Sequence, residues 1–164
     1  MKTLYLIGGP MGVGKTTACK ALKQLLPRAV MLDGDWCWDA DPFVVTAETK
    51  AMVEDNICHL LQNFLACSAY ENVIFCWVMD LPEIGSSLLS RLDTGDCRVV
   101  QVSLVCGPEV LRARLERDIA AGLRQPDIID RSLARLPRFD ALDTVKLDTT
   151  ALTPQQVAQA IATL

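Results

Sequence analysis

Short apolar runs alternate along the chain with segments whose apolar residues recur every three or four positions. "TLYLI" (3–7) is the first run. It stops at a double glycine and reads as a strand buried on both faces of a parallel sheet. After Lys15, the residues Ala18, Ala21, Leu22, Leu25 and Leu26 keep helical spacing until Pro27 ends it. "AVMLD" (29–33) predicts a second strand. Over 44–68, Met52, Val53, Ile57, Leu60, Leu61, Phe64 and Leu65 predict one face of a long helix. "NVIFCWVM" (72–79), rich in β-branched and aromatic residues, predicts a third strand, and a helix follows over about 82–92. "RVVQVSLV" (98–105) predicts a fourth strand. The next segment places Pro108 near a first helical position and Gly122 at a helix end. Residues 123–140 are less regular, with a helix expected over about 127–136. "TVKLD" (144–148) is a fifth strand, and Thr153, Pro154 and Gln156 open a last helix with a capping box.

Strict alternation of strand and helix implies an α/β protein, a three-layer α/β/α arrangement in which helices cover both faces of a five-stranded parallel sheet. Ligands of such sheets bind beyond the C-terminal ends of the strands. The loops after residues 7, 33, 79, 105 and 148 are therefore the expected site. The 164 residues suit one domain, 1–164, with no repeat or linker.

Composition narrows the function. Half of the chain is apolar (51%), which argues against disorder. The net charge is −4, against coating nucleic acid or an anionic membrane. Seven of the ten arginines nevertheless fall between Arg112 and Arg138. Seven cysteines form no C-x-x-C pair and several sit in apolar runs, which reads as reduced, buried thiols and no metal site. The start, "MKTLYLI", is too short for a signal peptide, and no run approaches a transmembrane length. The expectation is a soluble, cytoplasmic protein.

"GPMGVGKT" (9–16) fits G-x-x-x-x-G-K-[ST], between a buried strand and a helix where that motif belongs. Gly9, Pro10, Met11, Gly12, Val13 and Gly14 would curl so that successive N–H groups point at phosphate oxygens, helped by the helix dipole. Lys15 reaches the β- and γ-phosphates, and Thr16 offers a hydroxyl to Mg²⁺. Thr17 belongs to the same binding segment, as a first-turn residue. The chain is expected to have a P-loop NTPase fold. The N-K-x-D and D-x-x-G segments of GTPase switches are absent, and large oligomeric ATPases need more chain.

The second strand ends in "MLDGDWCWDADPF", where Asp33 and Asp35 form a D-x-D facing the phosphate loop. One carboxylate can orient an attacking hydroxyl and accept its proton, and a second can hold a Mg²⁺-bound water. Short acidic residues also favour turns, which is the alternative for this pair and for Asp39 and Asp41.

With its early phosphate loop, this D-x-D and the later arginines, the chain resembles the P-loop small-molecule and nucleotide kinases, among them shikimate kinase, gluconate kinase and the chloramphenicol phosphotransferases. The resemblance implies that Asp33 and Thr16 serve the metal, Asp35 is the base, and Lys15 acts on the transferring phosphoryl group. It implies an arginine-rich lid over about 117–138 in which Arg117 packs near the adenine and Arg124 touches the phosphates, with Arg114 and Arg131 as weaker candidates. An exposed helix with i,i+4 pairs such as Arg114–Asp118 is the competing reading. The loop holding Thr149 and Thr150 would pack on the adenine edge.

Other features stay open at this point. Trp36, Trp38 and Trp77 serve either an acceptor wall or the core. Asp80 is either a residue of the metal's outer shell or the N-cap of the next helix with Glu83 three on, and the sequence favours the cap. His59 lies mid-helix, away from every loop. The glycine-rich third-strand segment of shikimate kinase is replaced by "CWVMDLPEIG".

These readings converge on an ATP-dependent, Mg²⁺-requiring kinase acting on a hydroxyl of a small molecule. The alternatives are a nucleoside or nucleotide kinase and, from another class, a non-catalytic ATP-binding regulatory module. The expected partner is a small-molecule phosphoryl acceptor, with no nucleic acid polymer and no membrane, and the chain acting as a monomer or homodimer.

Overall fold

The architecture is that of a computed structural model, which describes residues 1–164 throughout. The elements in chain order are β1 (Thr3–Gly8), α1 (Lys15–Leu25), β2 (Ala29–Asp33), α2 (Ala47–Ala66), β3 (Asn72–Cys76), α3 (Pro82–Arg91), β4 (Arg98–Val105), α4 (Pro108–Ala120), α5 (Ile128–Arg135), β5 (Val145–Asp148) and α6 (Pro154–Ala162). Two 3₁₀ turns, Gly34–Cys37 and Leu136–Ala141, stand after β2 and after α5. All strand pairs are parallel, in the order β2-β3-β1-β4-β5.

β1 is central, and its residues alternate between two buried faces. Tyr5 and Ile7 join a cluster with Cys19 and Leu22 of α1, Leu111 and Leu115 of α4, and Val157 and Ile161 of α6. Leu4 and Leu6 join the opposite cluster with Val53, Ile57 and Leu61 of α2 and Leu88 of α3. Burial on both faces explains why the strands read as unbroken apolar runs rather than alternating ones.

Three sequence expectations shift. The third strand ends at Cys76 rather than residue 79, because the chain turns toward the phosphate loop. There Trp77 N–H donates to Ile7 O (3.2 Å), Val78 O accepts from Gly9 N–H (3.1 Å), and Met79 takes φ 43°. The long helix starts at Ala47, capped by Thr46, and its inner face is Val53, Ile57, Cys58, Leu61 and Leu65. Met52 and Leu60, expected on that face, are exposed. Finally, α3 is capped by no side chain; Asp80 is not its N-cap, for the reason given below.

No helix is long and apolar enough to cross a membrane.

Candidate functional site

The loop between β1 and α1 is closed by its own backbone and by two distant elements. Gly14 stands at φ 101° with nothing within 4 Å of where a Cβ would be, so the glycine is required by conformation and not by space. Ser132 Oγ on α5 donates to Met11 O at 2.6 Å. Arg114 on α4 donates through Nη1 to Val13 O (3.0 Å) and Thr149 Oγ1 (3.1 Å), and through Nη2 to Thr149 O (2.9 Å). One guanidinium thus fastens the phosphate loop to the loop after β5. Thr149 is itself buried, and its N–H and hydroxyl both donate to Val105 O.

Lys15 folds back over the loop, with Nζ donating to Gly9 O (2.9 Å) and Pro10 O (3.0 Å). Burial lowers its pKa from the ordinary lysine value, while the Asp35 and Asp33 charges oppose that shift. Phosphate oxygens would offer this ammonium stronger, charge-assisted partners than two neutral carbonyls. Beneath it lies Cys76 at the end of β3. Its thiol pKa is raised by a hydrogen bond to Cys19 and by burial, so it is held as a neutral, core thiol.

Asp33 and Thr16 meet: Thr16 Oγ1 donates to Asp33 Oδ2 at 2.5 Å. The other oxygen of this buried carboxylate accepts the Asp35 N–H at 3.0 Å, capping the 3₁₀ turn Gly34–Cys37. The turn carries Asp35 past the strand end. Asp35 as a residue is open to solvent, yet partial burial of its carboxyl, and then the Asp33 charge, raise its pKa from the ordinary carboxylate value. Lys15 and the Trp77 indole pull the other way.

On the far side of the loop a cleft of about 610 Å³ runs between α4 and the start of α6. Gly12, Thr17, Arg114, Arg117, Thr149 and Pro154 line it. Arg117 is exposed at its rim. Arg124 pairs with Asp118 at 3.0 Å. The pair expected between Arg114 and Asp118 does not form, because Arg114 is spent on backbone carbonyls and Arg124 takes the carboxylate. Arg131 pairs with Asp127, exposed and four residues away. Within the arginine-rich segment Ser132 and Phe139 are fully buried, so the part beyond Ile128 is packed against the body.

Asp80 shows what the sequence reading missed. It is buried and accepts from Arg138 Nη1 at 2.6 Å, with Arg135 Nε at 3.8 Å. A carboxylate out of water needs a cation more than a helix needs a cap, and this decides its role. The partners lie 58 residues apart in sequence, so no local pattern signals the pair. Arg114 was likewise undervalued, since its acceptors are backbone carbonyls that leave no trace in residue identities. His59 is exposed on α2.

The phosphate loop, Lys15, Thr16, Asp33 and Asp35 thus stand together at the C-terminal ends of β1 and β2, with Arg117 and Thr149 across the cleft. The oxygen pair Thr16 and Asp33 suits Mg²⁺, which keeps most of its waters and takes one or two protein oxygens beside phosphate.

A family profile described as AAA domain matches residues 6–125. No curated protein matches the chain. Among solved structures, the chain is similar to the Deinococcus radiodurans tunicamycin resistance protein, with a TM-score of 0.71 and 24% identity over 99% of this chain and 95% of that one. A gluconokinase from Sinorhizobium meliloti aligns with a TM-score of 0.67 and 18% identity, over 97% of this chain and 89% of its own. A sugar kinase from Janibacter sp. gives 0.69 and 15%, over 99% and 94%. At these identities the likeness is one of fold, a three-layer P-loop architecture.

Proposed function

The chain belongs to the AAA-domain family, and from that membership and the site geometry we propose that it is a kinase, passing the γ-phosphoryl group of ATP to a hydroxyl of a small molecule. The observation that carries the reading is the placing of Asp35. Transfer needs a carboxylate beside the phosphate loop but outside the metal position. Asp33 accepts the Thr16 hydroxyl with one oxygen and the Asp35 N–H with the other, so it is committed. Asp35 is one step farther out, open to solvent and raised in pKa.

In this mechanism the loop N–H groups and Lys15 bind the β- and γ-phosphates. Thr16 and Asp33 would hold Mg²⁺, which when bound neutralises charge on those phosphates. The nucleoside lies along the cleft lined by Arg117 and Thr149. Asp35 orients the acceptor hydroxyl and receives its proton as the O–P bond forms in line with the departing ADP. Arg117 and Arg124 steady the charge that spreads over the transferring group, Arg124 after leaving Asp118. The relatives by fold whose names include gluconokinase and sugar kinase act on hydroxyl compounds, and this supports the reading.

The test is ADP release from Mg-ATP across hydroxyl compounds, nucleosides and antibiotics, run with the unaltered chain and Asp35→Asn. A kinase gives acceptor-dependent release that Asp35→Asn abolishes while ATP still binds. A non-catalytic ATP-binding module gives binding and no acceptor-dependent release in either protein.

A further inference from the structure

We propose that the acceptor is an uncharged hydroxyl compound with an aromatic or branched aliphatic body, which lies against Trp36 and the Phe43–Val45 stretch while its hydroxyl meets Asp35. The inference rests on the kinase reading above and names the substrate class of that site.

Charge is the first argument. The connection from β2 to α2 (34–46) carries Asp35, Asp39 and Asp41 and has no lysine or arginine. An anionic acceptor would meet only repulsion from it. Four cations around the strand ends are already engaged. Lys15 sits over the phosphate loop, and Arg124, paired with Asp118, is taken up in the reaction by the transferring phosphoryl group. Arg135 and Arg138 converge on Asp80, which lies at the C-terminal end of the neighbouring strand β3. Drawing Arg138 onto a substrate carboxylate would leave a buried Asp80 without its 2.6 Å partner, which is costly. The protein's own carboxylate thus occupies the position that a substrate carboxylate would need.

Apolar surface is the second argument. Trp36 is 54% exposed, Phe43 59%, Val44 46% and Val45 54%, all within the one connection that also presents Asp35. Phe43 is braced by Trp38, ring centroids 4.7 Å apart. Leu81, next to Asp80, is exposed as well. Trp77 lies flat on Gly34, where a Cβ would stand 2.6 Å from the ring, and this brings its indole beside Asp35. Large side chains left open next to a reacting carboxylate suit a ligand that covers them. A bare polyol gains nothing from such a surface.

The probes are phenylethylene glycol and mandelate, which carry the same phenyl-substituted carbinol with a hydroxymethyl or a carboxylate group, and glycerol, which lacks the ring. Binding is followed by ligand-observed NMR with the full chain and Mg-ADP. The glycol is expected to bind at least about tenfold more tightly than mandelate or glycerol, the lower end of what one apolar group is worth in a pocket. Trp36→Ala should remove most of that advantage and leave the Kd for ADP unchanged. Trp36 is exposed, so its loss opens no cavity in the core, and an unchanged Kd for ADP reports that the variant is folded. Asp80→Asn, which frees two arginines, should tighten mandelate selectively. Mandelate or glycerol binding as well as the glycol, or a Trp36→Ala protein that keeps full preference, overturns the inference. Turnover judges the kinase reading separately. Selective glycol binding with no ADP release from any alcohol refutes transfer and leaves the ligand class standing. ADP release with sugar acids or mandelate alone refutes the ligand class and leaves transfer standing.

Discussion

The two sides of the phosphate loop are built by different means. On the side of β4 and β5, the cleft is set by backbone: Arg114 reads the carbonyls of Val13 and Thr149, and Thr149 is bound to Val105 through its own N–H. On the side of β2 and β3, the proposed acceptor would meet side chains directly, and the connection 38–46 has no regular structure. Backbone-directed contacts hold one geometry whatever the neighbouring side chains. A surface of exposed side chains can change its ligand with single substitutions. If the chain is the kinase proposed above, the nucleoside side is thus suited to a constant ligand and the acceptor side to a variable one.

Four substitutions separate the sides, taken from the largest expected effect to the smallest. Lys15→Ala serves neither side alone and should abolish both, lowering kcat/KM by roughly a hundredfold to a thousandfold, as for loss of one preorganised charge-stabilising group. Intact activity in that protein would mean the loop does not hold the phosphates. Asp35→Asn should cost about the same in acceptor-dependent turnover, roughly two to three orders of magnitude, and leave ATP binding in place. In the unaltered chain the carboxyl's raised pKa means that the proton stays on to higher pH than usual. Turnover should therefore fall with acid on a limb above the ordinary aspartate range, and Asp35→Asn should lack that limb. A limb at the usual carboxylate position would show that Asp35 is not the group reporting.

Arg138→Leu should destabilise the fold by about 2–3 kcal/mol, since it leaves buried Asp80 with Arg135 alone. Urea denaturation measures this, and no change would mean that Arg135 or water replaces the lost partner. Arg114→Lys should raise the KM for ATP by about tenfold with kcat nearly kept, because one ammonium cannot make a three-bond fork. An equal change in acceptor KM would erase the separation of the two sides.

Much of this was legible in the chain itself, for identifiable reasons. Glycine spacing before Lys15 and Thr16 marks a backbone shape, and a doubly buried strand must be apolar throughout. Loop and sheet could thus be read directly, as could Thr153 and Gln156 as the capping box of α6. The end of β3 could not. Trp77, Val78 and Met79 have strand composition, but they leave the ladder because Gly9 needs the Val78 carbonyl. Nor could Asp80, whose partners arrive from the other side of β4, or Arg114, whose partners are carbonyls. Local patterns report local bonds, and these are bonds between distant segments.

The bridge made by Arg114 has a consequence for synthesis. Met11 and Val13 are held by residues 121 and 101 positions farther along, and α1 packs against α6. A nascent chain on the ribosome therefore displays its phosphate-binding motif long before the segments that shape it emerge. Closing so long a loop comes late in folding and slows it. Chains cut short before Thr149 should carry the motif and yet retain no nucleotide, so the motif becomes competent only once the last third of the chain has been made.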